Sequence, residues 1–104
     1  MSKGLGQIMQ QAKKMQERLM KIQEELAEKT VEGQSGGGMV TCVVSGKQEL
    51  ISVKIADEIW AEKDKELLED LIRAAINEGL DRSREMMQEE MGKVTGGMQL
   101  PFGM

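Results

Sequence analysis

Leu5, Ile8, Ala12, Met15, Leu19, Ile22 and Leu26 recur at alternating spacings of three and four residues, the seam of a helix in a left-handed coiled coil. Such a helix of some two dozen residues is about 36 Å long at a rise of 1.5 Å per residue. That is more than the core of a small domain covers, so part of it is expected to project or to meet a partner. Beside the seam, Gln7, Gln11, Lys14, Arg18 and Lys21 follow the same spacing and form a separate polar stripe. On an isolated helix such a stripe suits solvent, supported by pairs such as Glu17–Lys21.

From Lys29 the period drops to two. "KTVEG" is a weak strand candidate; "MVTCVVS" alternates Val40, Cys42 and Val44 against Met39, Thr41 and Val43; "LISVKIA" alternates Ile51, Val53 and Ile55 against Ser52 and Lys54. The link Ser45 to Gln48 has hairpin length and Gly33 to Gly38 a longer, looser one, which together predict a small antiparallel meander with one face to bury. Asp57 to Lys63 then connects to a second long helix, capped by Asp64 and running to about Lys93. Its apolar side is Leu68, Leu71, Ile72, Ala75, Gly79, Leu80, Ser83, Met86, Met87 and Met91, and the small residues at 74, 75 and 79 are expected to admit another helix closely. Trp60 is the one large aromatic expected in the folded core. The closing "TGGMQLPFGM" has no periodicity and reads as a flexible tail, so the domain is expected over 1–94 and the tail over 95–104.

Composition narrows the chemistry. The chain has 104 residues, no His, one Cys and two aromatics, so its core must be built from aliphatics and its 10 methionines. An intramolecular disulfide, a cysteine-histidine zinc site and imidazole-dependent catalysis are excluded. No catalytic residue, metal site or cofactor is expected. Cys42, mid-strand with no cation beside it, is expected to be structural and unreactive. The N-terminus lacks a signal-peptide h-region and no apolar stretch approaches the roughly 18 residues of a membrane span, which reads as cytoplasmic.

The glycines of "VEGQSGGGMVTCVVSG" raise the question of a phosphate-binding loop. Such a loop needs its glycines after a strand and at the start of a helix, where free N–H groups and the helix dipole meet the anion. Here they lead into a strand, and in "SGKQ" Lys47 is followed by Gln48, so the stretch reads as a flexible turn.

Net charge is −4, which alone argues against a polyanionic partner. The charge is segregated, however. Residues 1–21 hold Lys3, Lys13, Lys14, Arg18 and Lys21 against Glu17 alone, whereas residues 57–70 hold seven acids against Lys63 and Lys65.

"QIMQQAKKMQERLMKIQEELA", "VEGQSGGGMVTCVVSGKQELISVKI" and "EDLIRAAINEGLDRSREMMQEEM", in this order and ahead of a Gly-rich end, resemble the YbaB/EbfC family of bacterial nucleoid-associated proteins over nearly the full chain. The resemblance implies an α+β fold of α-β-β-β-α order, dimerised through the sheet region with helices protruding like tweezers, and duplex DNA as partner with little sequence preference. Where members of that family often show Ala-x-Asn-Asp-Ala, this chain has Ala75-Ile76-Asn77-Glu78-Gly79, and Gly79 is expected to loosen the helix at about 1 kcal/mol relative to Ala.

With the resemblance, Lys3, Lys13, Lys14, Arg18 and Lys21 become candidate phosphate contacts. Two copies would set about ten positive charges on paired helices. Arg82, Arg84 and Lys93 on the last helix extend the surface, and Val40, Val44, Ile51 and Val53 are the expected buried dimer interface. No aromatic is interleaved with the cations, so stacking on single strands is not expected. Together with these features, the resemblance implies a homodimeric nucleoid protein expected to hold DNA by backbone and shape and to affect nucleoid organisation and gene expression, without membrane or small-molecule partners. A helical adaptor or holdase that binds polypeptide through Met-rich surfaces is the competing reading.

Overall fold

The computed structural model describes residues 2–95, with side chains over 4–93. The elements are α1 (Ser2–Glu28), β1 (Thr30–Ser35), β2 (Val40–Ser45), β3 (Leu50–Ile55), a short α2 (Asp57–Ala61) and α3 (Lys65–Thr95). This is the expected α-β-β-β-α order, with one turn and a half of helix added where only a connection was foreseen. The expected tail lies, beyond Thr95, outside the described residues. The molecule is elongated, measuring 73 × 27 × 16 Å.

The three strands form one antiparallel sheet in the order β1-β2-β3. Gly33 stands opposite Cys42 and Ser35 opposite Val40, while Cys42 faces Val53 and Val40 faces Ile55. A bulge between Val43 and Val44 shifts β3 so that Leu50 pairs with Val44. Alternation therefore holds along β2: Val40, Cys42 and Val44 are buried, and Thr41 and Val43 turn to the other face with Glu32, Gln34, Ser52 and Lys54.

Helix α3 lies over β1 and β2 rather than β3. Val40, Cys42, Val44 and Ala75 form the buried centre, with Val31, Leu68, Leu71, Ile72, Ile76 and Leu80 packed around it. Burying each of the two valines contributes about 1.5–3 kcal/mol. Val40 and Val44 have no exposed surface in the single chain, so neither is available to a partner. Ile51 is 57% and Val53 37% exposed. Of the four expected interface residues, α3 thus covers the two on the central strand and leaves the two on the edge strand open.

The helix sits unusually low on the sheet. A Cβ at Gly33 would fall 2.1 Å from the Ala75 carbonyl oxygen and 2.5 Å from the Gly79 nitrogen, and one at Gly79 would fall 2.8 Å from Val44 Cγ2 and 2.9 Å from Cys42 Sγ. Gly79 is therefore a close-packing residue, not a point of helix flexibility. The small residues Ala75 and Gly79 admit the sheet instead of another helix, while Ala74 faces solvent. At this separation the strands hydrogen-bond the helix directly. Ser35 Oγ donates to the Leu71 carbonyl at 2.5 Å, Cys42 Sγ to the Ala75 carbonyl at 3.2 Å, and Ser83 Oγ back to the Ser45 carbonyl at 2.6 Å. Cys42 is buried with its thiol engaged, which fits a structural role.

Gly33, expected in a loose loop, is inside β1. The turn itself is short: Gly36, Gly37 and Gly38 take φ of 58, 67 and 94°, a left-handed run that only glycine makes without strain, and Met39 leads straight into β2. At the other end, Asp64 caps α3 as expected, its Oδ1 accepting from the Leu67 N–H at 3.1 Å. Trp60, expected in the core, is instead 67% exposed because α2 buries Ile59 and turns the indole outward.

Gly79→Ala should destabilise the protein by about 1–3 kcal/mol through overpacking, and Gly33→Ala by more, because the obstructing atoms are backbone. Gly92→Ala, whose Cβ would meet nothing within 4 Å, should instead stabilise by about 0.5–1 kcal/mol. Denaturant midpoints of the three variants check the reversal of sign.

Candidate nucleic-acid interface

Among the described residues, helix α1 is anchored at its C-terminal end. A Cβ at Gly46 would fall 2.5 Å from the Leu26 carbonyl oxygen, so the β2–β3 hairpin closes directly on the last turn of α1, with the Gly46 N–H donating to the Lys29 carbonyl at 2.9 Å. Leu26 is only 3% exposed. Outward along the seam, Ile22, Leu19 and Met15 are half-buried, and Ala12, Ile8 and Leu5 are exposed. The 27-residue helix is about 40 Å long, and among the described residues α3 runs antiparallel beside its second half. The first half projects.

The polar stripe lies on this arm. Lys13, Lys14, Arg18 and Lys21 are all exposed, and among the described residues no ion pair involves them. The Glu17–Lys21 pair is not formed. The Lys3 side chain lies outside the described residues. Ile8, Gln11, Ala12, Lys14, Met15 and Arg18 line one shallow groove along the arm. Arg18 and Lys21 then continue into a second groove, shared with Ile22, Glu25, Glu90 and Lys93, where the two helices meet. The stripe on α1 and the last cation of α3 are therefore brought side by side.

The cations of α3 are differently placed. Arg82 pairs with Glu78 at 3.4 Å and also donates to the Glu32 carbonyl at 3.1 Å, Arg84 pairs with Asp81, and Lys93 approaches Glu90 at 3.4 Å. Each acid partner is three or four residues away, so this neutralisation could have been read from the sequence.

One relevant pair could not. Lys29 Nζ meets Glu90 at 2.8 Å across 61 residues and ties the base of α1 to α3. The hydrogen bond to Glu90, with the Glu90 and Glu25 charges behind it, raises the Lys29 pKa above its usual 10.5, and the bond from Lys29 lowers that of Glu90 below 4.5, each against partial desolvation. Glu90 thus has two cations to share, and Lys93 is the more exposed of them.

Known proteins share this outline. Residues 1–98 match the profile of the YbaB/EbfC DNA-binding family. The chain is 50% identical over 101 residues to a nucleoid-associated protein of Syntrophobacter fumaroxidans, covering 97% of this chain and 91% of that one. It is 48% identical over 97 residues to a nucleoid-associated protein of Caldanaerobacter subterraneus, covering 93% and 87%. The crystal structure of an uncharacterised Helicobacter pylori protein shares the fold with a TM-score of 0.78 at 24% identity, over 88% of this chain and 96% of that one.

The Lys29–Glu90 tie should contribute a pH-independent increment between the two unperturbed pKa values. Because the Glu90 pKa is depressed, its share is lost as pH falls through the folded value; because the Lys29 pKa is raised, its share is lost as pH rises through the folded value. Glu90→Gln should accordingly melt below the parent at neutral pH and converge with it in acid, which thermal scans at several pH values check.

Proposed function

This chain belongs to the YbaB/EbfC DNA-binding family, which is not an enzyme family, and on that premise we propose that it is a nucleoid-associated protein whose homodimer grips duplex DNA with the projecting α1 arms. The observation that carries the reading is the contrast between the two sets of cations. On α1, Lys13, Lys14, Arg18 and Lys21 are exposed and form no ion pair among the described residues; on α3, Arg82, Arg84 and Lys93 already pair with acids of their own helix. A polyanion gains most where positive charge is uncompensated, since binding energy comes from releasing counterions condensed on phosphates. Lys3 belongs to the same set by sequence, and Lys93 joins it where it borders the Arg18 and Lys21 groove.

The arm has the dimensions for this. A single α-helix is about 10–12 Å across with its side chains and fits a major groove about 12 Å wide, and a face of Lys and Arg positions it on phosphates without reading bases. Two arms are needed for a grip. The edge strand β3 leaves Leu50, Ile51 and Val53 exposed beside an unpaired strand edge, an arrangement that isolated soluble proteins avoid and a second copy covers. Through that dimer the protein would act at the nucleoid on DNA organisation and gene expression.

The exposed Leu5, Ile8 and Met9 on the same arm are what a polypeptide-binding adaptor would use. Salt separates the readings, because counterion release falls steeply with ionic strength and apolar association does not.

The Arg18→Ala/Lys21→Ala double variant should bind unrelated duplex sequences more weakly by similar factors, with the slope of log K on log salt reduced by about 0.9 for each phosphate left unneutralised and melting nearly unchanged. Arg82→Ala/Arg84→Ala should change the slope less. Mobility shifts at several salt concentrations measure both, and unchanged binding by the α1 variant would move the DNA surface elsewhere. Sedimentation at micromolar concentration should give a dimer mass.

A further inference from the structure

The chain has two aromatic residues, and the one among the described residues is not part of the core. Trp60 is 67% exposed, although Trp is among the residues that most often bury much of their surface. It lines an apolar cavity of about 440 Å³ with Ile59, Ala61, Leu68 and the charged residues Lys63, Asp64 and Lys65, at the N-terminal end of α3. The other aromatic, Phe102, stands in "MQLPF", residues 98–102, the most apolar stretch outside the described part of the chain.

We propose that the Trp60 cavity receives the Leu100-Pro101-Phe102 segment of a second copy. Reach decides that the copy is a different one. The cavity lies at Lys65 and the segment follows Thr95, the other end of a 31-residue helix that is about 46 Å long. Phe102 is seven residues beyond that end, and seven extended residues span at most about 25 Å. A chain therefore cannot fill its own cavity.

The chemistry of the two parts matches. A Leu and a Phe flanking a proline present apolar side chains on a backbone whose proline φ is already fixed, so less conformational freedom is lost on docking. An exposed indole beside aliphatic side chains is the kind of surface that recognises such segments. Each copy carries one cavity and one segment, so exchange between two copies can close on itself. The contact is separate from the basic stripe, and its failure would leave the DNA reading intact.

Trp60 is the only tryptophan and reports its own burial. In the parent protein at micromolar concentration its emission should be blue-shifted and its acrylamide quenching severalfold weaker than in the Leu100→Ser/Phe102→Ser variant, whose two substitutions lie outside the described residues. A peptide of residues 96–104 added to that variant should restore the shielding. Mixing the variant with Trp60→Phe protein, which is dark but keeps its tail, and allowing the copies to exchange should shield Trp60 as well. Circular dichroism and the salt slope of DNA binding should be the same in parent and variant. Equal quenching of Trp60 in parent and variant, or no shielding from either the peptide or the dark protein, overturns the proposal.

Discussion

The fold depends on the near-zero clearance between α3 and the β1–β2 half of the sheet. Gly33 and Gly79 place backbone against backbone, and at that distance the carbonyls of Leu71 and Ala75 accept hydrogen bonds from Ser35 and Cys42 in addition to their helical partners. A core this thin has few side chains to bury, and a small chain with 2% aromatic content could not fill a wider gap. Close approach lets aliphatic and small residues fill the space between helix and sheet.

Fixing α3 over β1 and β2 has two consequences. Edge strand β3 is left without a helix on it, so Leu50, Ile51 and Val53 remain apolar and open. The C-terminal half of α3 overruns the sheet and becomes the support for α1, through Lys29–Glu90 and the groove at Arg18, Ile22 and Lys93. The projecting arm is thus an outcome of where α3 is pinned, since Leu26 and Gly46 hold only the last turn of α1 to the hairpin.

Charge follows the same division. The acids that give the chain its net −4 are gathered around α2 and α3, where several lie within a turn of a cation on their own helix. The arm has Glu17 alone in its first 21 residues and stays basic. An acidic protein can thereby offer a polyanion one positive surface. Toward the free end of the arm the acids of α2 and α3 are too far away to cancel it, because at physiological ionic strength charges more than about 8 Å apart are largely screened from one another. Arg18 and Lys21, by contrast, share their groove with Glu25 and Glu90.

Local periodicity alone determined the two long helices, the three strands, the inward set Val40, Cys42 and Val44, the Asp64 cap and the basic stripe, because a helix or strand imposes its period on neighbouring residues. The i,i+3 and i,i+4 acids beside Arg82, Arg84 and Lys93 were legible for the same reason. What lies across the sheet from a residue has no such signature. The exposure of Ile51 and Val53, the Lys29–Glu90 tie, and the change of Gly79 from a flexible position to a packing one were decided by the placement of α3, and the exposure of Trp60 by α2, which buries Ile59 instead. Each depends on whether segments far apart in the chain meet, and only the closed structure brings those segments within reach.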